Sequence, residues 1–289
     1  MSLRSLLFIT LAMPALLLIG ANVLGLSIPI PEWGRDYVMR FNLANADNRI
    51  ELPVIVGPDD ISRPLVVIDA GHGGRDPGAV GQGIQEKDVT LAIALALRDE
   101  LLREDGIRVA LTRDDDSILP LGDRPEIARQ LGADLFLSIH ADSAGDISNV
   151  SGASIYTLSN EASSEAAARF AERENDADRL NGIEIEGQSE EVNAILVELS
   201  QQQTQEDSSD LSSLILREGE QELAFVRDPR RSAELAVLRA PDVPSILFES
   251  GFVTNQEDRA RLTTDEGREA YARVLARAIR VYFARRADL

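Results

Sequence analysis

Short apolar runs separated by helical patterns recur along most of this 289-residue chain, and they restrict its fold more than any other feature. A continuous β-branched run that ends in glycines is typical of a buried strand. Strands are predicted at Leu65–Asp69, Arg108–Leu111, Asp134–Ile139, Ala153–Leu158 and Ser245–Phe248. Between and after them, apolar residues recur at helical spacing, for example from Val89 to Leu101. This alternation predicts an α/β fold, a mixed or parallel sheet with helices on both faces.

Residues 160–228 depart from the alternation. They show helical segments with short polar breaks, and no strand is predicted among them. Two apolar stripes stand out, one within residues 192–199 and one within residues 211–215. We interpret residues 160–228 as a helical insertion into the α/β domain, and its stripes need surfaces to cover.

The amino terminus carries an apolar segment. Arg4 precedes an uncharged stretch over residues 5–31, and the first acid is Glu32. About 20 apolar residues suffice for a membrane span, so residues 1–31 are predicted to be a signal peptide or a membrane anchor. A basic residue before the stretch and acids after it indicate an exported body. Residues 32–62 are predicted to be a linker with a strand near residues 50–56, and residues 63–289 the catalytic domain.

Composition excludes several classes of protein. The chain has no cysteine, so thiol catalysis and cysteine-based metal sites are ruled out, and any metal must bind His, Asp or Glu. The formal net charge of -20 argues against binding nucleic acid, which needs a basic surface.

The two histidines of the chain both stand at the ends of predicted strands. His72 follows Leu65–Asp69 across a short glycine-rich turn, and His140 directly follows Ile139. In an open α/β sheet, ligands bind beyond the carboxyl ends of the strands. We therefore expect both histidines to lie at one site, where the glycines let the backbone pass close to a ligand.

Glu86 and Glu249 complete a hydrolytic site in this interpretation. Glu86 precedes the helix predicted near Asp88, and Glu249 directly follows the last strand. Two histidines and one carboxylate are a ligand set of catalytic zinc, whose fourth position is left to water. We predict one Zn²⁺ held by His72, Glu86 and His140, with Glu249 as the catalytic carboxylate that moves protons.

Several ordered stretches carry a specific resemblance. The chain resembles the zinc-dependent N-acetylmuramoyl-L-alanine amidases that split septal peptidoglycan, over roughly residues 64–285. The matching stretches are Asp69–Gly78, Glu86–Asp88, Thr112–Arg113, Leu121–Arg124, Ala133–Asp142 and Pro244–Asn255.

The resemblance implies an activity, a site and partners. It implies cleavage of the amide between the lactyl group of muramic acid and L-alanine, for cell-wall remodelling or daughter-cell separation. It also implies that His72, Glu86 and His140 bind zinc and that Glu249 is the catalytic residue. It implies peptidoglycan as substrate, a protein activator in the envelope and a periplasmic location, with residues 5–31 as the inner-membrane anchor where they are not cleaved.

A regulatory acid is also implied. Division amidases with an insertion at this point hold a helix across the cleft, and an acid from it occupies the open zinc position. We expect the insertion at residues 160–228 to lie over the zinc, and Glu174 is the candidate acid, with Glu172 and Asp176 close by.

Two alternatives share these residues. The same metal ligands suit a zinc peptidase that cuts within the stem peptide. A non-catalytic wall-binding module is the other alternative, and it predicts the loss of a ligand or of the catalytic acid, yet none is missing from the sequence.

Overall fold

The structure is a computed structural model that describes residues 50–143, 150–178 and 194–287, with backbone alone at residues 194–202. The predicted signal peptide or anchor and most of the predicted linker lie outside these residues. None of the helices in the described ranges combines the length and apolar character needed to cross a bilayer.

A six-stranded mixed sheet forms the centre of the domain. Its strands are β1 (Leu65–Ala70), β4 (Arg108–Leu111), β5 (Leu135–His140), β6 (Ala153–Leu158), β7 (Phe225–Ala233) and β8 (Ser245–Glu249), in the order β4-β1-β5-β8-β6-β7. The first four strands in this order are parallel, whereas β6 runs antiparallel to β8 and parallel to β7. A small hairpin of β2 (Val80–Gly81) and β3 (Ile84–Gln85) precedes the first helix.

Helices cover both faces of this sheet, as predicted. They are α1 (Glu86–Leu102), α2 (Asp123–Leu131), α3 (Glu165–Asn175), α4 (Ala194–Gly219), α5 (Gln256–Thr263) and α6 (Asp265–Ala287), with a 3₁₀ turn at Ala236–Leu238. One face packs against α1, α4, α5 and α6, and the other packs against α2, α3 and the 3₁₀ turn. The stripe that predicted α1 is buried from Val89 to Leu101 because it faces this core.

The insertion differs from its prediction. Its second stripe, at Leu211, Leu214 and Ile215, is buried in the core beside α6, so this part of the insertion does not lie over the predicted site. The stripe within residues 192–199 lies outside the residues whose side chains are described. Of the described insertion, α3 and α4 pack on opposite faces of the sheet.

The prediction of no strand up to residue 228 is wrong, because β7 begins at Phe225. This strand was missed because it lies at the sheet edge and is mostly polar, with an irregular pairing to β6 around Pro229. Edge strands tolerate proline and charge, and both hide the apolar pattern of a strand.

The strand predicted near residues 50–56 is also wrong. Only Val56 pairs there, through a single antiparallel bridge to Val109. The preceding Val54 is 80% exposed, so the apolar run that suggested a strand has little to pack against. Isolated extended segments gain stability only from neighbouring strands or a covered face.

Candidate metal centre

Three parallel strands deliver the predicted residues to one edge of the sheet. His140 and Glu249 are the last residues of β5 and β8, and they face each other in the register of those strands. His72 lies two residues beyond β1, which pairs with β5 on its other side. All three side chains are buried. The structure therefore brings the sequence-predicted histidines together with Glu249 at the carboxyl ends of the strands.

His72 is held in an unusual backbone conformation. Its φ angle is 62°, in the left-handed region that non-glycine residues rarely adopt. The ring Nδ1 lies 2.7 Å from Oδ2 of Asp76. Asp76 in turn accepts a hydrogen bond from the Gly78 amide. A carboxylate on one ring nitrogen orients the other nitrogen toward a ligand.

Within the described part of the chain, Nε2 of His72 is buried without a hydrogen-bond partner. It nevertheless lies 3.1 Å from Oε1 of Glu86, and Nδ1 of His140 lies 3.1 Å from the same oxygen. Two imidazole nitrogens thus converge on one carboxylate oxygen. A buried nitrogen without a hydrogen-bond partner in such a cluster is typical of a metal ligand.

Glu86 begins α1, and backbone amides fix its carboxyl group. Oε1 accepts from the Ala141 amide at 2.8 Å, and Oε2 accepts from the Ala79 amide at 2.8 Å. Burial raises the pKa of Glu86, but the two histidines more than offset this effect and hold the pKa well below 4.5. Glu86 is therefore an anionic group at the centre of the cluster.

The charge of Glu86 acts on His72 as well. Burial lowers the pKa of His72, but the Glu86 carboxylate and the Asp76 hydrogen bond raise it well above 6.5. The carboxylates therefore favour positive charge at this position, and the same attraction favours a bound metal cation.

Glu174 approaches the same histidines from α3. Its Oε2 lies 3.5 Å from Nε2 of His72 and 3.3 Å from Nδ1 of His140. Ligand atoms of these three residues all lie within 4.8 Å of one another. Two carboxylates are therefore offered to one pair of imidazoles, and the shorter distances belong to Glu86.

Local sequence explains how α3 reaches the site. The Ser164 hydroxyl caps the helix by accepting from the Ala167 amide. Ala167, Phe170, Ala171 and Glu174 are buried along one stripe of the helix, and Glu174 is its polar end. The same stripe packs Phe170 on Tyr156, with ring centroids 4.5 Å apart. Sequence predicted Glu174 only through the family resemblance.

Glu249 lies in an environment that disfavours its charge. Its Oε2 accepts from the Asp142 amide at 3.0 Å, whereas Oε1 is buried without a hydrogen-bond partner among the described residues. Burial raises the pKa of Glu249 well above 4.5, and the charges of Asp142 and Glu86 raise it further. The carboxyl group therefore keeps its proton to a higher pH than an ordinary glutamate, which suits a group that takes up and releases protons.

The sequence interpretation assigned no role to Asp76, Arg113, Arg124 or Asp142. The two arginines are buried, and both donate to main-chain carbonyls of the turn that carries His72. All four residues lie in the stretches that carry the family resemblance. Their roles depend on contacts made across the fold, so sequence spacing alone could not assign them.

Comparison with known proteins decides the family. A family model described as N-acetylmuramoyl-L-alanine amidase matches residues 66–281, which is most of the chain. The chain belongs to this family. The amidase is 41% identical to the N-acetylmuramoyl-L-alanine amidase AmiA of Salmonella typhimurium over 224 residues, 77% of each protein. It is 41% identical to AmiA of Escherichia coli K12 over 221 residues, 76% of each protein.

Solved structures agree with this assignment. The amidase AmiC2 of Nostoc punctiforme is 31% identical, with a TM-score of 0.55 over 76% of this chain and 97% of that one. CwlD of Clostridioides difficile, solved in complex with the GerS lipoprotein, is 26% identical, with a TM-score of 0.57 over 76% of this chain and 98% of that one. The chain is therefore a peptidoglycan amidase with the α/β fold predicted for it, and the alternative of a non-catalytic module is wrong.

Proposed function

We propose that the amidase uses one zinc ion, held by His72, Glu86 and His140, to hydrolyse the amide between the lactyl group of N-acetylmuramic acid and L-alanine. The observation that carries this proposal is the convergence of both imidazoles on Oε1 of Glu86, each at 3.1 Å. Ligand atoms about 2.0–2.1 Å from a tetrahedral zinc are about 3.3 Å apart, which agrees with these contacts. The donor set of nitrogen and oxygen also suits zinc, and no cysteine competes for it.

The ion and the protein divide the chemistry. Bound zinc lowers the pKa of its water from about 15.7 to about 7 and polarises the scissile carbonyl. Oε2 of Glu249 is occupied by the Asp142 amide, so Oε1 is the free atom that takes a proton from the water and passes it to the leaving nitrogen. Asp76 holds the ring of His72 so that Nε2 faces the ligand set.

Metal content and product analysis test these roles. We expect Glu249→Ala to retain stoichiometric zinc and to lose amidase activity, because its side chain moves protons and binds no metal. His72→Ala is expected to lose both zinc and activity, since it removes one of the two nitrogen ligands of the proposed site. Zinc is measured on the purified protein, and muropeptides are analysed by mass spectrometry for a free L-alanine amino group on intact glycan.

The matched control is Glu234→Ala, which removes an exposed glutamate paired with Arg239. It should behave as the wild type in both measurements. A Glu249→Ala variant that cuts peptidoglycan at the wild-type rate would contradict its role. Release of peptides cut within the stem, with L-alanine still on the glycan, would support the peptidase alternative.

We further propose that α3 keeps the enzyme inactive by placing Glu174 in the zinc position that water needs. The contacts that support this proposal are the 3.5 and 3.3 Å distances from Glu174 to the two histidines. Neighbouring residues attach the same end of α3 to other loops. Asn175 donates to the Glu234 carbonyl and accepts from the Ala236 amide, and Asp178 accepts from the Leu121 amide. A protein activator that binds the open form shifts the enzyme toward it.

A substitution on α3 tests the closed state. We expect Glu174→Ala to raise the rate on purified peptidoglycan without any partner by about 10–100-fold, equivalent to about 1.4–2.7 kcal/mol of differential stability. Glu172→Ala on the exposed side of the same helix is the control and should leave the rate unchanged. A folded, zinc-loaded Glu174→Ala protein that is no faster than the wild type would exclude autoinhibition by this residue.

In the cell, we propose that the amidase is exported to the periplasm through residues 1–31 and remodels the wall, including at daughter-cell separation. Two observations support this proposal: the apolar stretch at residues 5–31, and a substrate that lies outside the cytoplasm. If the stretch is not cleaved, it is an inner-membrane anchor. A protein activator in the envelope is consistent with CwlD, which was solved with a lipoprotein. Cell fractionation with and without residues 1–31 checks export, and a cytoplasmic location of the full chain would contradict it.

A further inference from the structure

Two consecutive residues of α3 bring opposite charges to the catalytic site. Glu174 places its carboxylate against His72 and His140. Arg173 places its guanidinium on Asp142, with Nη2 2.7 Å from Oδ1. A negative group therefore lies at the proposed metal position, and a positive group lies beside it.

Asp142 is close to the reacting groups. It follows His140 by two residues, and its amide donates to Oε2 of Glu249. Its side chain is only 15% exposed, whereas that of Arg173 is 52% exposed. The Asp142 carboxylate is thus mostly buried, and the half-exposed Arg173 pairs with it.

The products of amide hydrolysis carry the same two charges. Water adds its oxygen to the acyl carbon as the C–N bond breaks, and both of its hydrogens go to the nitrogen. The amide plus water thereby gives a lactyl carboxylate and, at neutral pH, the ammonium group of L-alanine. No oxidant or additional reactant is needed.

We propose that Asp142 binds the ammonium group of the released L-alanine, and that Arg173 and Glu174 imitate the two product charges in the closed form. This inference rests on the proposed zinc site and on autoinhibition by Glu174. Glu174 stands where the lactyl carboxylate is left, and Arg173 stands where the amine departs. Glu249, which delivers the proton to that nitrogen, is held by the Asp142 amide, so the leaving group is formed beside the Asp142 carboxylate.

A simple docking contact is the competing explanation for the Arg173–Asp142 ion pair. Half-exposed ion pairs contribute little to stability. The end of α3 is already attached by the two main-chain hydrogen bonds of Asn175 and by Asp178. Docking alone therefore does not require that the arginine pair with Asp142, the residue whose amide binds Glu249.

Product binding separates the two explanations. The protein is the full zinc-loaded chain with Arg173→Ala and Glu174→Ala, and the probes are the dipeptide L-Ala-D-Glu and its N-acetylated form. We expect calorimetry to show that the free-amine peptide binds at least about tenfold more tightly, as a charge-assisted contact requires. Adding Asp142→Asn should reduce this ratio to about twofold or less.

The matched control adds Asp242→Asn instead, because Asp242 is 18% exposed and also pairs with an arginine, Arg129. The control should keep the full preference for the free amine. Equal affinities for the two peptides, no binding of either, or a preference that survives Asp142→Asn would each overturn the inference. If the protein with Asp142→Asn fails to fold, the comparison of the two peptides on the Arg173→Ala, Glu174→Ala protein still tests the inference.

The same Arg173→Ala, Glu174→Ala protein is also incubated with peptidoglycan. Cleavage without any preference for the free amine would overturn the role of Asp142 alone. Absence of cleavage by folded, zinc-loaded protein would overturn the proposed function itself, so the two failures can be told apart.

Discussion

The carboxyl group of Glu249 lies in surroundings that disfavour its ionised form. It is buried, and Asp142, Glu86 and Glu174 add like charge around it. Strongly shifted groups of this kind cluster at active sites, because catalysis needs a proton acceptor matched to neutral pH. Selection for folding alone would favour a neutral side chain at this position.

The stability of a Glu249→Gln protein tests whether the charge of Glu249 destabilises the folded protein. The folded protein keeps the Glu249 proton to a higher pH than the unfolded chain, so ionisation costs stability as pH rises from about 4.5 through the raised pKa. We expect zinc-free Glu249→Gln to be more stable than zinc-free wild type at pH 8, and therefore to unfold at a higher temperature. The gain should shrink toward pH 4.

Thermal unfolding followed by circular dichroism measures both proteins across this pH range. Glu234→Gln serves as the control, since Glu234 is exposed and should give no such gain. A gain that is equal at pH 4 and pH 8 would mean that packing, and not charge, is responsible.

A second effect at the scale of single residues concerns Gly71. A Cβ atom at this position would lie 2.4 Å from Nε2 of His140, closer than real contacts allow. The glycine therefore lets the turn after β1 pass directly against the ring of His140. Sequence predicted that backbone passes close to a ligand here, and the structure shows that the neighbour is a predicted metal-binding side chain.

At the scale of elements, the turn after β1 is held by two buried arginines. Arg124 donates to the carbonyls of Ala70 and His72 and pairs with Asp69, and Arg113 donates to the carbonyls of Ala70 and Gly71. The left-handed backbone of His72 is unfavourable by itself, so these contacts fix a turn that would otherwise relax. These contacts of the protein therefore position the proposed ligand.

Arg124→Lys is expected to weaken zinc binding by about 10–100-fold, as changes behind a metal ligand commonly do. Lysine keeps the positive charge beside Asp69, but its single ammonium group cannot span the carbonyls of Ala70 and His72. Competition with a chromophoric chelator measures the affinity. Arg103→Lys, at an exposed arginine on the far end of α1, should leave the affinity unchanged. A folded Arg124→Lys protein with wild-type zinc affinity would show that the arginine supports the fold alone.

At the scale of the whole molecule, the proposed metal joins distant parts of the chain. His72, Glu86 and His140 come from the end of β1, the start of α1 and the end of β5. An ion that binds all three stabilises only the folded arrangement, because the unfolded chain does not hold them together.

Removal of zinc should therefore lower the unfolding temperature of the whole domain. With free zinc at 100 times its dissociation constant, binding contributes about 2.7 kcal/mol, which corresponds to a decrease of about 5–10 °C on chelation. Scanning calorimetry before and after chelation checks this. His72→Ala, which lacks one ligand, should show no dependence on zinc, and an equal shift in that variant would place the ion elsewhere.

Sequence alone determined the parts of this protein that depend on local patterns. Continuous apolar runs predicted five of the six strands of the main sheet, and a helical stripe predicted α1. The same runs indicated that His72, His140 and Glu249 share one edge, because parallel strands end together. The only two histidines and the lack of cysteine then limited which residues a metal could bind.

Tertiary structure decided what depends on contacts between distant elements. An apolar stripe shows that a helix has a buried face but not which surface buries it, so the stripe at Leu214 predicted burial without predicting that it packs beside α6. Edge strand β7 was hidden because polar residues suffice where one side faces solvent. The pairing of Arg173 with Asp142, and the approach of Glu174 to both histidines, follow from where α3 docks, a property no local pattern encodes.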